Sequence, residues 1–344
     1  MNSSDNAQLA AQILRLINGS WISQACYVMT RLGVADLIWS GVGSAEELAA
    51  RCGAHAPSLR RLLNALCSVD LCVQREDGTF ELTELGALLR SDHPSSVSAW
   101  AQHWGGSSWP AWGNLLHCIR TGQGTRELVV GTPGFVHLDR NPEAAAIFNQ
   151  AMVQLTRLAA LEVVKAYDFG GKKVMDVGGG YGELLAQVLI AYPSASGVLF
   201  DMAHAISKAR DAFTERGLAA RCEFVAGDFF ESVPAGADVY MLKSVIHDWP
   251  DDRAVTILQA CRRAMRPDAK LLLVERMMPE RLEASAQSES LSRSDLHMLV
   301  ALGAQERAPR EFEVLLRAAG LATLRVLDTG GDYQIIEAGP VATR

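Results

Sequence analysis

From Lys172 onward the chain reads as short β-branched runs separated by helical stretches, and this alternation limits the fold more than any other feature of its 344 residues. The runs are KKVMDVGG, ASGVLFD, CEFVAGD, ADVYMLKS and KLLLVER, followed by LATLRVLDT and DYQIIEAG. Strands fed by helices must run parallel and be covered on both faces, so the pattern predicts a Rossmann-like, doubly wound α/β sheet. The last two runs are joined by a tight Thr-Gly-Gly-Asp turn, which predicts seven strands with an antiparallel hairpin at the edge.

The residues upstream follow other periods. From Ala7 to Trp39 apolar residues recur at helical spacing (Leu9, Ile13, Leu16, Ile17, then Tyr27, Val28, Leu32), with interruptions near Gly19 and Gly33. So wide an apolar face needs cover, either the chain's own core or a second copy in a homodimer. Between Ser44 and Asp92, SAEELAARCG and PSLRRLLNALCSVDL predict two short helices, each opened by a capping signal, and VQREDGTFELT predicts a hairpin. That order is a winged helix. The segment carries eight acidic residues against five arginines, and the whole chain has a net charge of −7, so the basic stripe of a nucleic-acid reader is missing. A structural, dimer-building role fits better.

Trp100, His103, Trp104, Trp109 and Trp112 then precede a helix in NPEAAAIFNQAMVQLTRLAALEVVKAY, and such a segment could wall an aromatic substrate. The resulting partition is 1–105 as a helical, winged-helix dimerisation domain, 106–165 as linking helices that line the pocket, and 166–344 as the catalytic domain. Glu283 to Ser294 is Ser-rich and polar enough for a mobile loop. The seven cysteines form no CxxC pair and are odd in number, so neither a disulfide framework nor a zinc site is expected. The start MNSSDNAQ lacks the order of a signal peptide, and no apolar run reaches the roughly 18 residues of a membrane span, which points to the cytoplasm and no membrane partner.

Asp176-Val-Gly178-Gly179-Gly180-Tyr-Gly182 closes the first strand of the sheet and opens a helix, where glycines permit a tight turn and let a ligand approach the backbone. A nucleotide-like cofactor is expected there, its ribose near Asp201 at the end of the second strand. Three details favour S-adenosylmethionine over a nicotinamide: the GxGxG spacing, the acid two residues before the first glycine, and Gly227-Asp228-Phe229 after the third strand. Asp228 could accept from an adenine amino group while Phe229 covers the ring.

DVGGGYG, LFD, GDFF, LKSVIHDWPDD, LLLVER and GAQERAPREFEVLLRAAG stand in the order and spacing of the small-molecule O-methyltransferase family that includes plant caffeic-acid-type enzymes and bacterial antibiotic-tailoring enzymes. The resemblance runs over nearly the whole chain, and HDW placed 19 residues after GD is its most specific part. NGSWISQACYVMTRLGVADLIWSG looks in particular like bacterial phenazine methyltransferases. The resemblance implies that Asp176, Asp201, Asp228, Phe229 and Lys243 contact S-adenosylmethionine, with the Gly178, Gly180 and Gly182 turn against its amino-acid end and S-adenosylhomocysteine as product. It also implies His247 as general base, beside Asp248 and flanked by Glu275 and Glu306, and Met152 against the substrate ring. Phe148 in the same FNQAM run, Trp104, and His297 and Met298 on an expected pocket helix join it as candidate substrate contacts. Asp295 to Glu306 lacks the Asn-Pro-Gly-Gly run of the plant members, so their pocket lining does not carry over.

His247 has a physical case of its own. It follows the fourth strand of the sheet, at the carboxyl end where such folds place ligands. A phenol-like hydroxyl with pKa about 10 is a weak nucleophile at neutral pH, and a positioned imidazole can take its proton as the methyl group transfers. No metal is needed for this. Competing expectations are that His247 caps a helix beginning at Asp248, and that His297 is the base; His117 and His137 read as structural or surface residues. Competing chemistries are methylation of a ring nitrogen, and hydroxylation or decarboxylation by a relative that only binds the cofactor.

Overall fold

The computed structural model of the chain describes residues 3–132, 135, 138 and 140–341. The chain divides into two compact units, one of residues up to Trp109 together with Ala146–Gln154, the other of Pro110–Ala145 together with Leu155 onward. His137 lies outside the described residues.

The N-terminal unit begins with three helices, Ser3–Ile17, Gly19–Arg31 and Val34–Trp39, broken where the sequence expects, at Asn18 and at Gly33, whose φ of 66° fits glycine. The winged helix follows. Ser44 caps Ala45–Cys52 by accepting from the Glu47 N–H at 3.2 Å, and Gly53 ends it in the left-handed region. The second helix, Ala56–Cys67, opens with a proline in its first turn, whose fixed φ suits that place, while His55 stands at its N-cap without a side-chain cap bond. β1 (Cys72–Gln74) and β2 (Phe80–Leu82) form the antiparallel wing. Met29, Val34, Leu48, Leu63, Leu66 and Phe80 are fully buried among these elements.

In the C-terminal unit, β3 (Lys173–Val177), β4 (Ser196–Asp201), β5 (Cys222–Ala226), β6 (Val239–Lys243), β7 (Lys270–Glu275), β8 (Leu321–Asp328) and β9 (Gln334–Pro340) build one sheet in the order β5-β4-β3-β6-β7-β9-β8. The first five are parallel, and β9 runs antiparallel to both its neighbours. Alternate side chains feed two cores: Tyr240, Leu242, Leu271 and Leu273 on one face, Val239, Met241, Leu272 and Val274 on the other. The fold is thus the expected Rossmann-like α/β sheet with its edge hairpin. The chain winds outward from β3 through β4 to β5, then crosses to β6 on the other side of β3, so the carboxyl ends of β3 and β6 flank a topological switch point where such sheets take their ligands.

One expectation fails. Glu283 to Ser294 is not a loop throughout, because a helix runs from Ala286 to Leu302. Ser285 caps it by accepting from the Ser288 N–H at 3.1 Å, Glu289 and Arg293 pair one turn apart, and Leu291 is buried. The serines that suggest a loop serve as cap and polar face. The seven cysteines are unpaired, and among the described residues no helix is long and apolar enough to cross a membrane.

Candidate active site

The turn after β3 is made by glycine's freedom. Gly178, Gly180 and Gly182 have φ of 72°, 59° and 77°, a region other residues enter at a cost. The Gly180 N–H donates to Asp201 Oδ2 at 2.7 Å, and the Met202 N–H donates to Oδ1 at 2.6 Å, which ties the turn to the end of β4. Phe229 stands against the turn: a Cβ placed on Gly178 would lie 3.4 Å from its ring. Asp228 is exposed beside it and accepts from the Phe230 N–H at 2.8 Å. Asp176 is buried below the turn, and its Oδ1 has no hydrogen-bond partner among the described residues. Burial, then the neighbouring Asp201 carboxylate, push the Asp176 carboxyl up to about 7, against the pull of Lys243. A buried, unpartnered carboxylate oxygen under an open glycine turn fits a ligand that brings positive charge and N–H or O–H donors.

Lys243, at the end of β6, lies with its ammonium 4.8 Å from the ring centre of Tyr333, and the Arg276 guanidinium lies 5.3 Å from the same ring. Burial would raise the Tyr333 phenol, but the two cations outweigh it and bring it down to about 8.

After β6 the chain turns through Ser244, a non-glycine residue at φ 54°, into a single 3₁₀ turn, Ile246–Asp248, which carries His247. His247 Nδ1 lies 3.1 Å from both oxygens of Glu306 and 3.8 Å from Glu275 Oε2, while Nε2 is 3.5 Å from Asp248 Oδ1. The two glutamates differ in use. Glu275 Oε1 accepts from the backbone N–H groups of Val245 and Ile246 at 3.2 and 2.9 Å, so it holds the turn. Glu306 holds the ring, and is itself held by the Ser294 hydroxyl at 2.6 Å. Burial, the largest single influence, would lower the pKa of His247, but Glu275, Glu306 and Asp248 together overcome it and push the imidazole up to about 10. Burial likewise raises Glu275, to about 7, whereas for Glu306 the imidazole and the Ser294 hydroxyl overcome burial and hold it low. The expected group of His247, Asp248, Glu275 and Glu306 is therefore brought together. His247 does not cap the following helix, which starts at Asp251 with Pro250 at its N-cap.

The candidate substrate residues fall in both units. In the N-terminal unit Trp104, Phe148 and Met152 are half-buried; Phe148 meets His103 edge to face at 5.4 Å, and Trp104 meets Trp100 at 6.2 Å. In the C-terminal unit Met298 is buried, and His297 lies coplanar with Trp112, whose indole N–H donates to His297 Nδ1 at 3.2 Å. An indole is only a donor, so Nδ1 carries no proton in this bond, which argues against His297 taking a proton there. His117 is half-buried on the helix Leu115–Thr121.

Two residues of this region escape the sequence reading. Ser294 gives no signal in a serine-rich run. Arg307, buried beside Glu306, stands within the ERAPREFE motif, but nothing in the spacing says what it holds. His247, Glu275 and Glu306 also offer ligand atoms within 4.8 Å of one another, the one grouping among the described residues close enough to consider for a metal ion; Nδ1 and Glu306 are already bonded to each other there.

Residues 112–322 match the family model of an O-methyltransferase domain, and residues 14–92 match that of an O-methyltransferase dimerisation domain. The chain is 43% identical to a phenazine O-methyltransferase of Lysobacter antibioticus, over 99% of each chain. It is 32% identical to a phenazine-1-carboxylate N-methyltransferase of Pseudomonas aeruginosa, over 98% of this chain and 99% of that one. Among solved structures, a mitomycin 7-O-methyltransferase superposes with a TM-score of 0.90 at 37% identity, over 99% of this chain and 100% of that one. An O-methyltransferase of neocarzinostatin biosynthesis, solved with S-adenosylmethionine and 2-hydroxy-5-methyl naphthoic acid, superposes with a TM-score of 0.80 at 34% identity, over 93% and 96%.

Proposed function

The chain belongs to the O-methyltransferase family, and from that premise we propose that it moves a methyl group from S-adenosylmethionine onto a hydroxyl oxygen of a small aromatic natural product, a phenazine or its N-hydroxy form, with His247 as general base. When bound, S-adenosylmethionine supplies a methyl group on positively charged sulfur. The chain's own residues do the rest. The Gly178–Gly182 turn, Asp176, Asp201 and Lys243 bind it, and Asp228 and Phe229 take its base. An ionised Glu306 only accepts, so the proton of a neutral His247 sits on Nδ1 and the lone pair sits on Nε2. Nε2 is the atom we assign to the acceptor hydroxyl. The carboxylates around the ring favour its protonated form, so once His247 is neutral it is a stronger base toward a phenolic hydroxyl of pKa about 10 than a free imidazole would be.

The observation that carries this reading is the double hold on Glu306, by His247 and by Ser294, which supports a held ring with its proton on Nδ1. Trp104, Phe148, Met152, His297 and Met298 stay the residues we assign to the aromatic acceptor. The partition into 1–105, 106–165 and 166–344 stays our assignment of dimerising, linking and catalytic parts. The first helix supports a homodimer: Leu14, Leu16, Ile17 and the following Trp21 are exposed, on a stretch that matches the dimerisation model. Deleting the residues before Ser40 should yield an aggregating or unstable monomer by analytical ultracentrifugation; a well-folded, active monomer refutes the dimer.

The test begins with calorimetric titration by S-adenosylhomocysteine and a screen of hydroxylated phenazines with methyl-labelled cofactor. His247→Ala should leave S-adenosylhomocysteine affinity intact and cut turnover on a hydroxyl acceptor by roughly 10²-fold or more. Ring N-methylation is the second reading, favoured by the N-methyltransferase relative. A ring nitrogen already has a free lone pair, so full turnover by His247→Ala would decide for it.

A further inference from the structure

Arg307 is the largest side chain in the described part of the molecule to be essentially removed from solvent, at 1% exposure. Its guanidinium donates through Nη1 to the Ile246 carbonyl at 2.9 Å and through Nη2 to the Trp249 carbonyl at 2.7 Å. Nε and Nη2 also reach Asp251 Oδ1 at 3.1 and 2.8 Å. The two carbonyls bracket His247 and Asp248. The 3₁₀ turn between them is poorly held by itself, since its own backbone bonds, Asp248 N–H to Val245 and Trp249 N–H to Ile246, measure 3.2 and 3.4 Å.

Three buried charged side chains therefore divide the turn among them. Glu275 takes its N–H groups, Arg307 takes its carbonyls, and Glu306 takes the imidazole it presents. Glu306 and Arg307 are consecutive, and their backbone is pinned beside β7, where the Met278 N–H donates to the Arg307 carbonyl at 3.0 Å and Met277 bridges Arg307. A shift of the turn relative to this segment would have to break the ring contact and the carbonyl contacts together.

We infer that Arg307 is a positioning residue for the reaction: it clamps the His247 turn so that the imidazole meets Glu306 on one side and the acceptor hydroxyl on the other. The inference rests on His247 being the base. Only arginine suits the place, because its planar fork serves two carbonyls at once while a lysine ammonium reaches one or the other. A buried guanidinium facing neutral carbonyls and a single, mostly exposed aspartate is an expensive way to gain stability, and its benefit lies in selecting one conformation.

The experiment uses full-length Arg307→Lys enzyme, which keeps the charge, with S-adenosylhomocysteine binding measured by calorimetry. Turnover on the hydroxyphenazine acceptor from the screen, and the titration of the His247 ring followed by ¹⁵N NMR with His247→Ala for assignment, complete it. The expected result is stoichiometric binding within about twofold of the natural enzyme, an acceptor KM little changed, and kcat lower by about 10- to 100-fold, as a misplaced base should give. The His247 titration should move to lower pH as the ring loses its alignment with Glu306. Normal kcat per bound cofactor and an unmoved titration, with only a lower melting temperature, would overturn the inference. If Arg307→Lys binds no cofactor, Asp251→Ala replaces it, freeing the outer end of the guanidinium; the same split between kcat and KM supports the clamp, and unchanged kcat and titration overturn it. The NMR arm does not need an acceptor, so failure of every hydroxyl acceptor would sink the base assignment without being confused with failure of the clamp.

Discussion

Two turns lie side by side at the carboxyl ends of the paired strands β3 and β6, and they are built by opposite means. The turn after β3 is made of backbone: three glycines at positive φ, bonded to an aspartate from the next strand. The turn after β6 has no glycine. It holds Ser244 at φ 54° and relies on side chains from far along the chain, Glu275, Glu306 and Arg307. The difference follows from what each turn offers. A turn that meets its ligand with main-chain atoms needs bare backbone, which only glycine leaves open. A turn that presents one side chain needs that chain fixed, and buried charged partners fix it at the cost of having to be satisfied all at once.

The largest break expected is in the glycine turn. In Gly182→Val a β-branched residue is forced to φ 77°, with its Cβ 2.8 Å from the Phe213 ring and 3.0 Å from Leu199. Left-handed backbone costs about 1–2 kcal/mol and overpacking about 1–3 kcal/mol more, so S-adenosylhomocysteine binding should be lost and the melting temperature should fall. Normal binding by calorimetry would show that the turn does not depend on glycine there. Next comes a pair at Glu275. Glu275→Ala strips two buried N–H groups of their acceptor, at about 1–3 kcal/mol each, and kcat should drop by about 10²-fold; Glu275→Gln keeps an acceptor oxygen and should lose much less. Equal losses would mean that its charge matters and its hold on the backbone does not.

The smallest effect is a displaced pH profile. Glu275, Glu306 and Asp248 all favour the imidazolium, so free enzyme carries a protonated His247 until the pH nears about 10, and kcat/KM for the cofactor should rise with an acid limb well above the ordinary histidine range. Glu306→Gln removes one of the charges that retain the proton. The proton then leaves at lower pH, and the limb should move down; an unmoved limb would mean that it reports some other group.

The sheet was legible because each strand is a short buried run bounded by turn residues, and the glycine turn because its requirement is written in consecutive residues. The serines of Glu283 to Ser294 misled because a cap and a polar helix face use the same residues as a loop. His247 was legible from its place at the carboxyl end of the fourth strand, but its partners were legible only as a resemblance. Its supports are scattered along the chain, and spacing alone does not tell that Glu275 grips backbone while Glu306 grips the ring. Ser294 and Arg307 act through contacts that exist only after folding, so no local pattern announces them.

The placing of β9 between β7 and β8 has a consequence for how the chain is born. β7 is complete at Glu275, yet the strand that covers its edge ends at Pro340, so that edge stays open until β9 has been made. At roughly 5–20 residues per second, the ribosome leaves that edge bare for several seconds, with only water or another chain to pair with it. A copy whose parallel strands pair before β9 emerges thus has one seam open, and its safety then depends on whatever shields that seam until β9 closes it.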